Sequence, residues 1–129
     1  MKRQWLSPPL VRAVHDRQIA EHGGTVGLRD AGLLASALAR PQQWAAYGDP
    51  DPYDLAAAYA VGLIQNHPFL DGNKRTGLVA ACLFLELHGV ECCAPQIDEV
   101  LAMLQVATKE LDEPGLAAWF RANTRPLSG

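Results

Sequence analysis

The chain has little excess charge, few cysteines and no long apolar run, and each shortage removes a class of function. Eleven basic residues against 14 acidic ones leave a net charge of −3. A dedicated nucleic-acid binder ordinarily shows a basic excess on one face, so no direct DNA partner is expected. The longest apolar stretch, Leu78 to Leu85, falls far short of the ~20 residues that span a bilayer, so no membrane partner is expected either. Met1 to Pro9 holds two basic residues with no apolar run behind them. That argues against a secretory signal and makes the cytoplasm the expected compartment. Of the three cysteines, Cys82 lies in an apolar helical pattern, while Cys92 and Cys93 are neighbours that would point to opposite faces of an extended segment. There is no C-x-x-C pair, so no zinc site is expected and all three are read as ordinary reduced thiols.

What remains is a chain of 129 residues, 49% hydrophobic and 19% charged, which suits one soluble domain over residues 1–129 with an ordinary apolar core. The pattern is helical nearly throughout, and no internal repeat is visible. Ser7 followed by Pro8 opens a helix that Gly23 and Gly24 close. Asp30 opens a second, which Pro41 is expected to end. Residues 41–52 then read as a connection, carrying Trp44 and Tyr47. A third helix runs from Asp51 or Pro52 to about Asn66, and a fourth from about 73 to 88, closed by Gly89. Because Leu78 to Leu85 is apolar all round, this fourth helix is expected to be the buried centre of the fold. Val90 to Pro95 reads as an extended link before two last helices, from Asp98 and from Asp112. The expected class is therefore all-α, a compact bundle of about six helices around the helix at 73–88.

One segment carries chemistry: His67-Pro68-Phe69-Leu70-Asp71-Gly72-Asn73-Lys74-Arg75-Thr76. Lys74 and Arg75 fall in the first turn of a helix, where unpaired N–H groups and the positive dipole end disfavour cations. Two cations there make sense if an anion is bound between them, and Gly72 lets the backbone approach it closely. Asp71 is placed to hold a Mg2+ that bridges phosphate oxygens. His67, at the end of the preceding helix because Pro68 follows it, offers a base of near-neutral pKa. Each part alone is commonplace: a helix-end histidine, a turn, a solvated pair of cations. Together they describe phosphoryl or nucleotidyl transfer, in which positioning and charge stabilisation do most of the catalysis.

The same segment resembles the signature of the Fic/Doc family. AMP-transferring Fic enzymes read H-x-F-x-[D/E]-G-N-G-R-x-x-R; here Lys74 replaces the glycine after Asn73, and Leu78 stands at the second arginine. Both departures resemble the death-on-curing (Doc) toxins, whose motif is H-x-F-x-D-x-N-K-R-T, although Gly72 is the residue usual in Fic enzymes. Gly27 to Leu34 and Ser36 to Pro41 resemble a further Doc-family block, and similarity runs from about Trp5 to Arg121. The resemblance implies the Fic/Doc helical bundle and ATP-dependent modification of a protein hydroxyl. It implies His67 as base, Asp71 as Mg2+ ligand, and Gly72, Asn73, Lys74 and Arg75 as the phosphate cradle. For a Doc-like chain it implies transfer of the γ-phosphate, with translation elongation factor Tu as target and growth arrest as outcome. Trp44 and Tyr47 fall where Fic proteins carry a target-docking flap; aromatics that merely pack on the core are an equal reading.

The residues themselves favour a kinase over an AMP transferase. Lysine at 74 fills space that would otherwise hold two adjacent phosphates, and without the second arginine there is no fork for the far one. AMP transfer, and a module that only binds nucleotide, stay open at this point. The inhibitory motif of some Fic enzymes, S/T-x-x-x-E-[G/N], is absent: Thr25, Ser36 and Thr108 are followed four places on by Arg29, Arg40 and Asp112. An active transferase with no internal brake implies an inhibitor supplied in trans. In Doc-like systems this is a Phd-like antitoxin whose disordered tail folds into a helix on the toxin.

Overall fold

Four helices begin at the residues whose side chains can cap them. The computed structural model describes residues 3–127, and in it Ser7, Asp30, Asp51 and Asp112 each accept a hydrogen bond from a first-turn N–H. They open α1 (Pro8–His22), α2 (Ala31–Tyr47), α3 (Pro52–Asn66) and α6 (Glu113–Ala122). At Asp51 the cap is reciprocal, since Asp54 also accepts from the Asp51 N–H, satisfying two orphan donors at once. The other elements are α4 (Asn73–Leu87), β1 (Val90–Cys92), α5 (Gln96–Ala107) and β2 (Thr124–Pro126). The class is all-α, with six helices among the described residues. The segment read as an extended link pairs antiparallel with the C-terminal strand, Val90 opposite Pro126 and Cys92 opposite Thr124.

Three expectations are corrected. The central helix is α3, not the helix at 73–88: α3 buries every residue from Leu55 to Ile64 and packs against α2, α4, α5 and α6. On α4 the apolar residues Leu78, Val79, Cys82 and Leu83 are only half-buried, so an apolar circumference did not mean a buried one. Second, Pro41 does not end α2, which continues to Tyr47 with Pro41 inside it. An internal proline removes one backbone bond and costs about 3 kcal/mol; here Pro41 sits inside the helix and is buried against the core.

Third, Cys82 and Cys92 form a disulfide, with Cα atoms 5.9 Å apart, while Cys93 is free and exposed. Spacing rules look for close pairs in the sequence. Here the turn at Gly89 folds β1 back beside α4 and brings together residues ten apart, inside the Cα window a disulfide can bridge.

The core forms around Tyr59, Leu63, Phe69, Phe84 and Phe120, all essentially inaccessible. The Tyr59 hydroxyl accepts from the Leu6 N–H at 3.0 Å, so its polar end is satisfied where it is buried. Antiparallel packing of α2 on α3 leaves the C-terminus of α3 beside the start of α2, and the link from α3 to α4 is built there. No described helix is long and apolar enough to cross a membrane.

Candidate active site

The link between α3 and α4 turns sharply at both ends. His67 closes α3 in the left-handed region, at φ 53 and ψ 54, because Pro68 bars helical geometry to the residue before it. Gly72 opens α4 at φ 78, a conformation that suits glycine and leaves the helix without a capping side chain. The first intrahelical bond runs from the Thr76 N–H to the Gly72 carbonyl. The N–H groups of Asn73, Lys74 and Arg75 therefore have no acceptor within the helix. Lys74 and Arg75 are exposed, and neither is paired with a carboxylate among the described residues.

Between the two turns the loop is braced from within and from outside. The Asn73 side chain accepts from the Phe69 N–H at 3.0 Å and donates to the Phe69 carbonyl at 2.9 Å. The amide expected to touch phosphate is thus occupied in holding the loop, and what Asn73 offers to an anion is its backbone N–H. Phe69 is buried and stacks flat on His15, ring centroids 3.8 Å apart. His15 is itself 1% exposed, and its Nε2 lies 2.8 Å from the Asp71 carbonyl, which makes it the donor. Along its other edge the loop pairs with residues 25–30. Leu28 bridges Phe69, the Leu70 N–H donates to Gly27, and the N–H groups of Arg29 and Asp30 both donate to Pro68. The Arg29 guanidinium donates to the carbonyls of His67 at 2.7 Å and Asn66 at 2.9 Å.

The Asp71 carboxylate accepts from the Thr25 N–H at 3.1 Å and from the Gly72 N–H at 2.8 Å. These donors, Thr25 first, hold its pKa below the ordinary carboxylate range, with help from the Arg75 charge. Gly24 makes room for this: at φ +125, a Cβ there would lie 2.7 Å from the Asp71 oxygen. Asp71 remains exposed, with lone pairs left on both oxygens. No three His, Cys, Asp or Glu groups among the described residues cluster as a metal site. A cation at Asp71 would draw its other ligands from phosphate oxygens and water, which is the habit of Mg2+.

A cleft of about 300 Å3 is lined by Ile64, His67, Asp71, Gly72, Asn73, Lys74, Arg75 and Ala107. All six residues expected at the site from His67 to Arg75 therefore meet in one small space. A wider groove of about 620 Å3 begins on the other side of Lys74 and Arg75 and runs between α1, α4 and α5 past Leu78, Val79, Met103 and Leu104. Trp44 and Tyr47 are not in this region. They lie in the last turns of α2, 39% and 94% exposed, whereas α2 begins next to the loop. Thirteen residues of helix separate Trp44 from Ala31, roughly 20 Å at 1.5 Å per residue. The part of the chain that does lie along the loop is residues 24–30.

Comparison with known proteins gives the family. The model of the Fic/DOC family matches residues 5–85. The chain is 41% identical over 100 residues to "Toxin Doc" of Mycolicibacterium smegmatis, covering 74% of this chain and 77% of that one. This chain belongs to the Fic/DOC family. Within the family it is also similar to "Protein kinase doc" of Escherichia phage P1, 38% identical over 118 residues, covering 90% of this chain and 92% of the relative. Two residues with no role at the site assigned from sequence are His15 and Arg29, each bonded to the backbone of a candidate site residue, Asp71 and His67. No local signal marks either one, since each acts across 38 or more positions of sequence.

Proposed function

We propose that this Fic/DOC chain is a Doc-type toxin that transfers the γ-phosphoryl group of ATP to a side-chain hydroxyl of another protein in the cytoplasm. One observation carries the reading. His67, Asp71 and an uncapped helix end with two cations lacking carboxylate partners share one cleft. A polyanion is the ligand such a helix end accepts best. The name of the phage P1 relative, a protein kinase, favours phosphoryl over AMP transfer, as does lysine at 74.

In this scheme the His67 imidazole takes the proton from the attacking hydroxyl as its oxygen bonds to the γ-phosphorus. The bond from that phosphorus to the bridging oxygen breaks, and ADP leaves. Lys74, Arg75 and the N–H groups of residues 73–75 hold the charge on the phosphate oxygens, while the Asn73 side chain keeps the loop closed. Asp71 would hold Mg2+, which supplies further neutralisation of phosphate charge. The target we propose is translation elongation factor Tu, whose modification would block translation. For a partner we propose a Phd-like antitoxin with a tail that folds as a helix. The groove along Leu78, Val79, Val100, Met103 and Leu104 supports this, being largely apolar and next to the cations.

The test is to incubate the purified chain and a cell lysate with ATP labelled at either the γ- or the α-phosphate. Label from the γ-position on a single protein of elongation-factor size is expected. Transfer from the α-position would mean an AMP transferase, and nucleotide binding without transfer would mean a binding module. Expression of the chain alone should also arrest growth, and co-expression of a small neighbouring-gene product should relieve it. Healthy growth with abundant folded protein would sink the toxin reading.

A further inference from the structure

The backbone of His67 sets where its side chain leaves the chain, and so which way the ring can reach. No described residue hydrogen-bonds to the imidazole, and the side chain is exposed. The backbone is in the left-handed region, which costs a non-glycine residue on the order of 1 kcal/mol and persists only where the surroundings fix it. Pro68 excludes the helical alternative but does not select this one. The selection comes from outside the loop. The forked Arg29 guanidinium gives Nε–H to the His67 carbonyl and Nη2–H to the Asn66 carbonyl, two bonds of the charge-assisted kind. These carbonyls are among the last of α3, which have no partner within the helix and form its negative end.

Arg29 is itself fixed. Its N–H and that of Asp30 both donate to Pro68, and Asp30 caps α2, so the fork stands on a helix start. Its side chain has no carboxylate partner among the described residues and is exposed, so the core does not depend on it. We propose that Arg29 is the positioning residue for His67, holding the end of α3 in the one turn that aims the imidazole into the cleft. This rests on the reading of His67 as the base. Lysine is a poorer substitute, since its compact ammonium lacks the rigid planar fork that holds both carbonyls at once.

The experiment compares wild type, Arg29→Ala and Arg29→Lys by γ-phosphate transfer, nucleotide binding, melting temperature and the NMR signals of the His67 imidazole, assigned with a His67→Asn control. For Arg29→Ala we expect kcat to fall roughly 10- to 100-fold, the scale of a misplaced catalytic group. The KM for ATP should stay within about twofold, and the His67 signals should shift. Arg29→Lys should lie between the two. A wild-type kcat, or unmoved His67 signals in a folded Arg29→Ala protein, would overturn the proposal. If Arg29→Ala melts too low to assay, Arg29→Lys decides by the same two readouts. Should the wild type transfer nothing, the kinase reading fails separately, and the imidazole signals still report whether Arg29 places His67.

Discussion

His15 lies flat against Phe69, interplanar angle 4°, and reaches past it to the carbonyl of Asp71. One buried ring thus supports the loop's anchor and its acidic residue together. Substituting His15→Phe keeps most of the stacking area and removes the donor, leaving the carbonyl unpaired. A loss of roughly 1–3 kcal/mol is expected in denaturant melts. Because the Asp71 backbone loosens, the Mg2+ concentration for half-maximal nucleotide binding should rise severalfold. Equal Mg2+ titrations for His15→Phe and wild type would show that the contact supports the fold only.

Removing the proposed base should separate chemistry from binding. His67→Asn is the cleaner variant, since asparagine tolerates the left-handed turn that His67 occupies; His67→Ala tests the same point with more strain. Either should lower kcat by about 10²–10⁴ while ATP affinity stays within a few-fold. Single-turnover transfer together with nucleotide titration checks both, and full activity in the asparagine variant would remove His67 from the mechanism.

Asp71→Asn should weaken nucleotide binding and raise the Mg2+ requirement, because a neutral amide is a poorer ligand for a hard cation. It also turns an NH2 group toward one of the two N–H donors from Thr25 and Gly72, replacing attraction with repulsion. The pH dependence follows from the lowered pKa of Asp71. A carboxylate with a depressed folded pKa contributes stability above its unfolded pKa and loses it as pH falls through the folded one. The gap in melting temperature between wild type and Asp71→Asn should therefore be largest near neutrality. It should close as acid passes the ordinary carboxylate range, and a constant gap down to strong acid would contradict the account.

Lys74→Gly probes the donor geometry. The variant removes one of the two cations at the start of α4 and opens bare backbone in its place. Transfer from the γ-position should fall, and some AMP transfer should become measurable, limited by Leu78 where a second arginine would be needed. Parallel assays with γ- and α-labelled ATP read both, and an intact γ-transfer rate would show that Lys74 is not part of the cradle.

The run from His67 to Arg75 was legible because its chemistry is contiguous, with helix-end, turn and helix-start signals inside ten residues. Four helix starts were legible as well, since Ser7, Asp30, Asp51 and Asp112 act on their own next turn. Legibility stopped where residues act across the fold. Arg29, His15 and Thr25 reach the loop over 38, 56 and 46 positions, and pattern at helical spacing contains nothing of that. Trp44 and Tyr47 were read in a connection because Pro41 was taken as a stop, whereas α2 carries Pro41 inside it and runs on to Tyr47. The free-thiol reading of Cys82 and Cys92 failed for a related reason, that a chain reversal decides which sulfurs meet.

Half of the ten buried residues of α3 are alanine or glycine: Ala56, Ala57, Ala58, Ala60 and Gly62. At Gly62 a Cβ would fall 3.3 Å from that of Ala37 on α2. Larger side chains have rotamers that can swing to absorb a small displacement of a neighbour; alanine has none. Helix α3 is therefore geared to its neighbours with almost no play. A displacement of α2 at Ala37 meets a contact with little slack, on the helix whose end His67 closes. Exposed substitutions on α2 near Ala37 that leave melting temperature untouched should therefore shift the NMR signals of the His67 imidazole, and unmoved signals would refute the coupling.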